Sequence, residues 1–346
     1  TNARTRHLWR YIRLGIGLVL IILLVPTLAN PGFWSALAAV NLPLVVLALA
    51  LAFASMVAKS WRWGVIMHWR GIKLSQGYFM VMYLVGIFFN NFLPSGMGGD
   101  VVRAYETARD TGRGAESFST VLIERGGGML VVFGIGGLFA LTTGDALPIA
   151  FKLLAVGLFL GGLIAVWALW LDVTGKILAA VGARLPRQLS GIWLKIMRVY
   201  EEFRLYRHEW RLFRSIILLS LVSTIVGLAS TYSLLLAYGK PMPPFAAFAA
   251  FFGIESAIEV LPISLNSLGV REGAYVFFLS KLTPPVSNQV ALGVSLLVRL
   301  IILIHAAAGG IAYLIRNARG RSMLTVSNVN ISPAPNTVEE LPSSQP

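Results

Sequence analysis

Four arginines stand inside or beside apolar segments of this chain: Arg103, Arg125, Arg271 and Arg299. Arginine stays charged when partly buried and pairs bidentately with phosphate or carboxylate, so the four are candidates for holding an anionic headgroup. Acidic residues lie near them in sequence, Asp100 and Glu124 in the first half and Glu255, Glu259 and Glu272 in the second. Two readings stay open. In one, the charges only make internal salt bridges, Arg125 with Glu124 or Asp100 and Arg271 with Glu259 or Glu272. In the other they line a cavity that takes an anion. The two are compatible, because paired charges on a cavity wall can exchange partners. Neighbours in sequence do not share a helix face, which makes Glu124–Arg125 the weaker bridge. Glu255 and Glu259 are four apart and do share one. They are candidates for carrying a coupling proton or for serving as fixed counter-ions.

These charges sit next to helix breakers. Phe88 to Arg125 runs through Asn90-Asn91-Phe92-Leu93-Pro94 and Ser95-Gly96-Met97-Gly98-Gly99 before reaching Asp100. Non-helical backbone and ionisable groups at membrane depth are costly and persist where protein or a water-filled cavity satisfies them. Asn90 and Asn91 are placed to satisfy opened backbone or to face such a cavity. Gly98 and Gly99, and Gly269 in the second half, lead into helix N-termini whose backbone N–H groups attract anions. Asp100 is placed to cap its helix. Asn266 belongs to the second polar turn, Ser264 to Gly269.

The elements that must position these residues are membrane helices. Of 346 residues 56% are hydrophobic and 13% charged, where a soluble domain carries about 25% charged. The mean hydropathy is +0.74. Several apolar runs reach the roughly 17–25 residues that span a ~30 Å hydrocarbon core. The chain reads as an all-α polytopic membrane protein. Without cysteine it has no disulfide, thiolate nucleophile or cysteine-based metal site, and its four histidines show no metal-ligand spacing. No metal, cofactor or catalytic constellation is indicated, so no enzyme activity is expected. The net charge of +14 fits cytoplasmic loops beside anionic lipid better than nucleic acid.

In chain order, residues 1–13 form a basic N-terminus. Leu14–Ala29 is a first span of signal-anchor type, with no cleavage site in evidence. Leu42 to about Ser60 is the second span, followed by a basic loop at 59–73 in which Trp61, Trp63 and Trp69 fit an interfacial belt. Gly77–Leu93 is an apolar run and Asp100–Asp110 a polar helix. Ser117–Leu141 and Ile149–Leu171 span, and Gly157–Gly161 is a GxxxG match that reads as close helix packing. Residues 176–214 form a basic amphipathic connector at the membrane surface. Ile216–Tyr238 spans, Phe245–Leu261 is apolar, and Asn288–Ile315 is the last span, followed by Arg316. His305, inside it, reads as a packed histidine. Residues 322–346 read as a disordered tail.

The two breaker regions correspond. Leu93-Pro94 matches Leu261-Pro262, and nine residues after each proline stand Val102-Arg103 and Val270-Arg271. Each unit leads to a span with an embedded arginine. The repeat halves are about 77–171 and 245–315. Counting basic residues by the positive-inside rule favours six spanning helices plus two re-entrant hairpins, one entering from each side, with both termini cytoplasmic. An odd number of spans separates the hairpins, so the halves are inverted, an arrangement typical of transporters.

The residues also resemble a known family, the lysylphosphatidylglycerol synthetase transmembrane-region family of flippase-like integral membrane proteins. The resemblance rests on Asn91-Phe92-Leu93-Pro94, Gly96-Met97-Gly98-Gly99-Asp100-Val101-Val102-Arg103, Ile123-Glu124-Arg125, Leu261-Pro262-Ile263-Ser264, Leu268-Gly269-Val270-Arg271-Glu272-Gly273 and Leu297-Val298-Arg299, across roughly residues 14–318. It implies binding and moving a lipid across the cytoplasmic (inner) membrane: an anionic phospholipid, an aminoacylated lipid or a lipid-linked sugar. Some relatives fuse this region to an aminoacyl-transferase domain. This chain ends about 30 residues after its last helix, so synthase activity is not expected. The alternative is a membrane subunit or partner of a lipid-modifying enzyme. Expected partners are membrane lipids with anionic headgroups, and among proteins a second copy of the chain or a separate lipid-modifying enzyme; nucleic acid is not expected. Family members often carry glycines where this chain has Asn266-Ser267.

Overall fold

The computed structural model describes residues 40–91, 98–184, 204–239, 242–260 and 269–318, with single positions at 34, 38, 191, 193, 194, 197, 200, 201 and 267. Among them are ten α-helices and no strand: α1 (Leu42–Trp69), α2 (Gln76–Asn90), α3 (Gly98–Thr111), α4 (Gly114–Leu141), α5 (Ile149–Trp170), α6 (Asp172–Ala183), α7 (Trp210–Leu236), α8 (Phe245–Val260), α9 (Val270–Leu279) and α10 (Asn288–Ala318). The expected first span Leu14–Ala29, both proline breaks, Asn266, parts of the 176–214 connector and the 322–346 tail lie outside the described residues.

Five helices, α1, α4, α5, α7 and α10, are long and apolar enough to cross a membrane. The α2 and α8 helices have 15 and 16 residues, about 22–24 Å of helix at 1.5 Å per residue, less than the ~30 Å of a hydrocarbon core. Local sequence sets the ends. Asn41 caps α1, its Oδ1 accepting from Leu44 N at 3.4 Å. Ser75 caps α2, its Oγ accepting from Tyr78 N at 3.2 Å.

Lipid tails are as apolar as leucine, so association of spans relies on close packing and interhelical hydrogen bonds. The α1 and α7 helices lie along each other on small residues. Ser55 Oγ donates to the Ser223 carbonyl at 2.7 Å, and Ser230 Oγ to the Ala48 carbonyl at 2.7 Å. Two further packings cross between the halves: α2 packs along α10, and α8 packs along α4. Both crossings use glycine. A Cβ on Gly253 would lie 2.9 Å from the Gly136 Cα, and one on Gly309 would run into the Leu84 carbonyl. Aromatic pairs fix the short helices, Phe251 edge-on to Tyr275 at 5.0 Å and Trp63 edge-on to Phe79 at 5.2 Å.

Several expectations are corrected. The second span does not stop near Ser60: α1 runs to Trp69 and carries Lys59 and Arg62 inside the bundle, because no breaker intervenes before Gly71 with its φ of +74°. Trp63 is fully buried and donates from Nε1 to Thr120 Oγ1 at 3.3 Å, so it is no belt residue, whereas Trp61 and Trp69 are exposed. The connector expected over 176–214 ends sooner, since α7 already starts at Trp210. Arg316 lies inside α10, buried, and pairs with Glu106 at 3.5 Å and with Asp110. Gly157 and Gly161 face open space with nothing within 4 Å of an added Cβ, so their GxxxG spacing packs against none of the described residues.

Candidate functional site

In the first half a buried carboxylate joins three helices. Glu124 on α4 accepts from Arg103 Nη2 on α3 at 2.5 Å and from Arg62 Nε on α1 at 3.1 Å, with Arg62 Nη2 also on it. Arg62 Nη1 donates to Ser220 Oγ on α7 at 2.7 Å. The Arg103 guanidinium lies over Tyr83 and Trp63, 4.5 and 4.8 Å from the ring centroids. Its Nε is 3.2 Å from Asp100 Oδ1, while Asp100 Oδ2 is 3.5 Å from Arg125 Nη1. Asp100 is therefore a counter-ion in the first turn of α3 and not the cap of that helix. Two guanidinium groups on one carboxylate and two aromatic faces compensate ions that would be costly alone in an apolar interior.

The second half solves the same problem with different residues. Glu255 and Glu259 lie one turn apart on α8, so their carboxylates project together. Both pair with Arg271 of α9, Glu255 Oε1 at 3.1 Å from its Nε. Glu272 Oε1 accepts from Arg299 Nε of α10 at 2.7 Å. Thus the arginine of each span, Arg125 or Arg299, meets an acid in the first turn of the short helix before it, Asp100 or Glu272.

The glycine N-termini behave differently from the expectation of open anion sites. Gly99 N donates to Asn90 Oδ1 at 2.6 Å, and Gly269 N donates to Glu272 Oε2 at 2.8 Å. Each donor is already used. Gly99 is required for another reason, since a Cβ there would run into the Gly86 carbonyl where α3 crosses α2. Gly98 starts α3 and is buried. Asn91 donates from Nδ2 to the Ile87 carbonyl at 2.8 Å and so closes α2.

A cavity of about 330 Å³ lies between the two sets of charges. Its walls include Asn90, Asp100, Arg103, Arg125, Glu255, Glu259 and Arg271. Glu124, Glu272 and Arg299 stand behind the walls, each tied to a residue in front or to its neighbour. Arg299 reaches the wall indirectly, with Nη2 3.5 Å from the carbonyl oxygen of Ser267, which lines the cavity. The arginines are not spent by their ion pairs. Arg103 Nη1, Arg125 Nε and Arg271 Nη1 are buried and have no hydrogen-bond partner among the described residues. Buried polar groups are almost always satisfied, and in both halves the described ion pairs leave a guanidinium donor without a partner. His305 lines the same cavity, with Nδ1 2.8 Å from the Ile301 carbonyl and its ring stacked on Phe53. No three His, Asp or Glu side chains converge as a metal site would require among the described residues.

Sequence reasoning missed Lys59, Arg62 and Tyr83. The signal was present for the first two: they are three apart, hence on one helix face, within an unbroken run that continues to Trp69. The serines of α7 were missed because each reads alone as a small apolar substitute. Together Ser220, Ser223 and Ser230 are buried and face the bundle interior.

Residues 10–310 match the family described as the lysylphosphatidylglycerol synthase TM region. A UPF0104 membrane protein of Methanothermobacter thermautotrophicus is 25% identical over 292 residues, covering 78% of this chain and 83% of the relative. The chain belongs to the lysylphosphatidylglycerol synthase TM region family.

Proposed function

We propose that this member of the lysylphosphatidylglycerol synthase TM region family is a flippase-like transporter. It binds a lipid by its anionic headgroup in the central cavity and carries that headgroup across the cytoplasmic membrane. The substrate class is an anionic phospholipid, an aminoacylated lipid or a lipid-linked sugar. One observation carries the reading: Arg103, Arg125 and Arg271 line one cavity inside an apolar bundle, and each has a buried guanidinium N–H without a hydrogen-bond partner among the described residues. Donors left unpaired in such surroundings are costly, and a phosphate supplies the acceptors.

The path of the headgroup follows from an inverted repeat of 77–171 and 245–315. Its support is the reciprocal packing of α2 on α10 and α8 on α4, together with the matched breaks at Pro94 and Pro262. Helices as short as α2 and α8, each followed by a break, suit re-entrant hairpins that meet around a midplane site. Rocking one unit against the other would open that site to alternate sides. The basic residues of the N-terminus and of the 176–214 connector favour both on the cytoplasmic side.

The family's description, the transmembrane region of a synthase, supports a second reading. Here the protein is a membrane partner that presents the same headgroup to a separate lipid-modifying enzyme.

The test is reconstitution in liposomes with headgroup-labelled lipids, following movement between leaflets for wild type, Arg103→Ala, Arg125→Gln and Arg271→Ala. Movement in wild type that is lost in folded Arg125→Gln supports transport. Equal movement in all four, or none in wild type, overturns it. Tight lipid binding without movement favours the partner reading.

A further inference from the structure

Lys59 projects from α1 into the cavity, one turn before Arg62. Every arginine around it has a carboxylate: Arg62 and Arg103 share Glu124, Arg125 has Asp100, and Arg271 has Glu255 and Glu259. Lys59 has none. Among the described residues no carboxylate oxygen lies within 4.0 Å of its ammonium, and it makes no hydrogen bond. Residues 92–97 and 261–266, which lie outside the described residues, contain no acid. Outside the described residues the acids are Glu202, Glu339 and Glu340 alone.

The charge count of the cavity wall and the residues paired to it agrees. Together they hold six cations, Lys59, Arg62, Arg103, Arg125, Arg271 and Arg299, against five carboxylates, Asp100, Glu124, Glu255, Glu259 and Glu272. The surplus is one positive charge, and Lys59 is its unpaired member. An ammonium without a partner in an apolar bundle is expensive to keep. On a flexible four-carbon stem it is also a compact point charge able to follow a ligand, while the arginines are held by their pairs.

We infer that Lys59 is the residue that neutralises the bound headgroup, and that the cavity selects a headgroup with one net negative charge, a phosphodiester monoanion. A zwitterionic headgroup leaves the surplus charge uncompensated, and a pyrophosphate dianion reverses it. The inference rests on the lipid-binding reading above and narrows its substrate class.

The test uses the full chain in detergent and a set of soluble short-chain probes: dihexanoyl phosphatidylglycerol as the monoanion, dihexanoyl phosphatidylcholine as the zwitterion, geranyl pyrophosphate as an anion of two or more charges, and inorganic phosphate. Binding is measured for wild type, Lys59→Met, Lys59→Arg and Arg125→Gln. Wild type is expected to prefer phosphatidylglycerol to the other three. A charge-assisted hydrogen bond corresponds to roughly ten- to a hundredfold in affinity, so Lys59→Met should lose about that much for phosphatidylglycerol and little for phosphatidylcholine. Lys59→Arg should restore the preference to within a few-fold. If Lys59→Met does not fold, Lys59→Gln supplies a second neutral side chain. Unchanged phosphatidylglycerol binding in the neutral variants, with loss in Arg125→Gln, overturns the role of Lys59 and leaves the lipid reading standing. Equal or tighter binding of geranyl pyrophosphate overturns the charge selection. Inorganic phosphate binding as tightly as phosphatidylglycerol, with the same loss in Lys59→Met, assigns the site to free phosphate and overturns its lipid ligand. Wild type that binds none of the probes overturns the lipid reading itself.

Discussion

Arg103 Nη2 and Glu124 Oε2 meet at 2.5 Å in the interior of the bundle, with both side chains 1% exposed. The pair ties the short helix α3 to the span α4, and through Arg62 it ties both to α1. Removing one partner of a buried ion pair leaves an uncompensated charge, at a cost of about 3–5 kcal/mol. Here a single carboxylate serves two guanidinium groups, so Glu124→Gln should fall at the upper end. The expected outcome is a large loss of thermal stability in detergent, read by the fluorescence-detected gel-filtration midpoint. Glu116→Gln is the contrast. Its pair with Arg113 is more open, with side chains 21% and 37% exposed, and exposed pairs contribute about 0–1 kcal/mol. Equal midpoints for the two variants would contradict the buried node.

Gly99 and Gly157 should respond oppositely to the same added methyl group. A Cβ on Gly99 would run into the Gly86 carbonyl and lie 2.9 Å from Asn90 Oδ1. Backbone cannot yield as a flexible side chain can, so Gly99→Ala should force α2 and α3 apart, an overpacking cost of about 1–3 kcal/mol. Gly157 has nothing within 4 Å, and alanine is the better helix former by about 1 kcal/mol. Gly157→Ala should therefore leave stability unchanged or raise it. The thermal midpoints of the two variants decide the matter, and an undisturbed Gly99→Ala would refute the close crossing.

The same glycines show how much of the fold is legible in the sequence. The spans were legible because apolar length converts directly into membrane-crossing length. The arginines and breakers were legible because they are exceptions in an apolar background. Partner choice was not. Glu124 stands beside Arg125 in sequence, yet its helix face points it to Arg103 and Arg62. Lys59 and Arg62 read in sequence as a surface loop, because basic residues after an apolar run ordinarily mark its end. Trp63 next to them looked like an interfacial anchor for the same reason. GxxxG spacing identified Gly157 and Gly161, which face outward, and overlooked Gly136 and Gly253, which meet across two helices. Spacing along one helix does not reveal which face a second helix will cover.

Ser267 lines the cavity with φ at +54°, in the left-handed region that disfavours any residue with a Cβ. Leaving the side chain there costs roughly 1–2 kcal/mol relative to glycine. Its hydroxyl recovers part of this by donating to the Glu259 carbonyl at 3.3 Å. Ser267→Gly should then be neutral to stabilising by up to about 1 kcal/mol, whereas Ser267→Val should destabilise, because a β-branched side chain fits that conformation worst. A thermal midpoint for Ser267→Gly well below wild type would mean that the hydroxyl contact outweighs the backbone strain.

Glu255 and Glu259 share Arg271 but should differ when removed. The Glu255 side chain is 6% exposed and that of Glu259 is 35% exposed. Loss of Glu255 leaves Arg271 paired only on its open side and α8 less firmly tied to α9, so Glu255→Gln should destabilise the fold substantially. Glu259 faces the cavity, where an entering anion competes with it for the same guanidinium. Its pair is partly screened, so Glu259→Gln should cost under about 1 kcal/mol. It should also release Arg271 and add one positive charge to the cavity wall. Phosphatidylglycerol binding is therefore expected to tighten several-fold in Glu259→Gln, while the thermal midpoint barely moves. The tighter complex should in turn release its lipid more slowly, so leaflet-to-leaflet movement in liposomes should fall although affinity rises. A variant that binds more weakly than wild type would show that Glu259 helps to hold the ligand instead of competing with it.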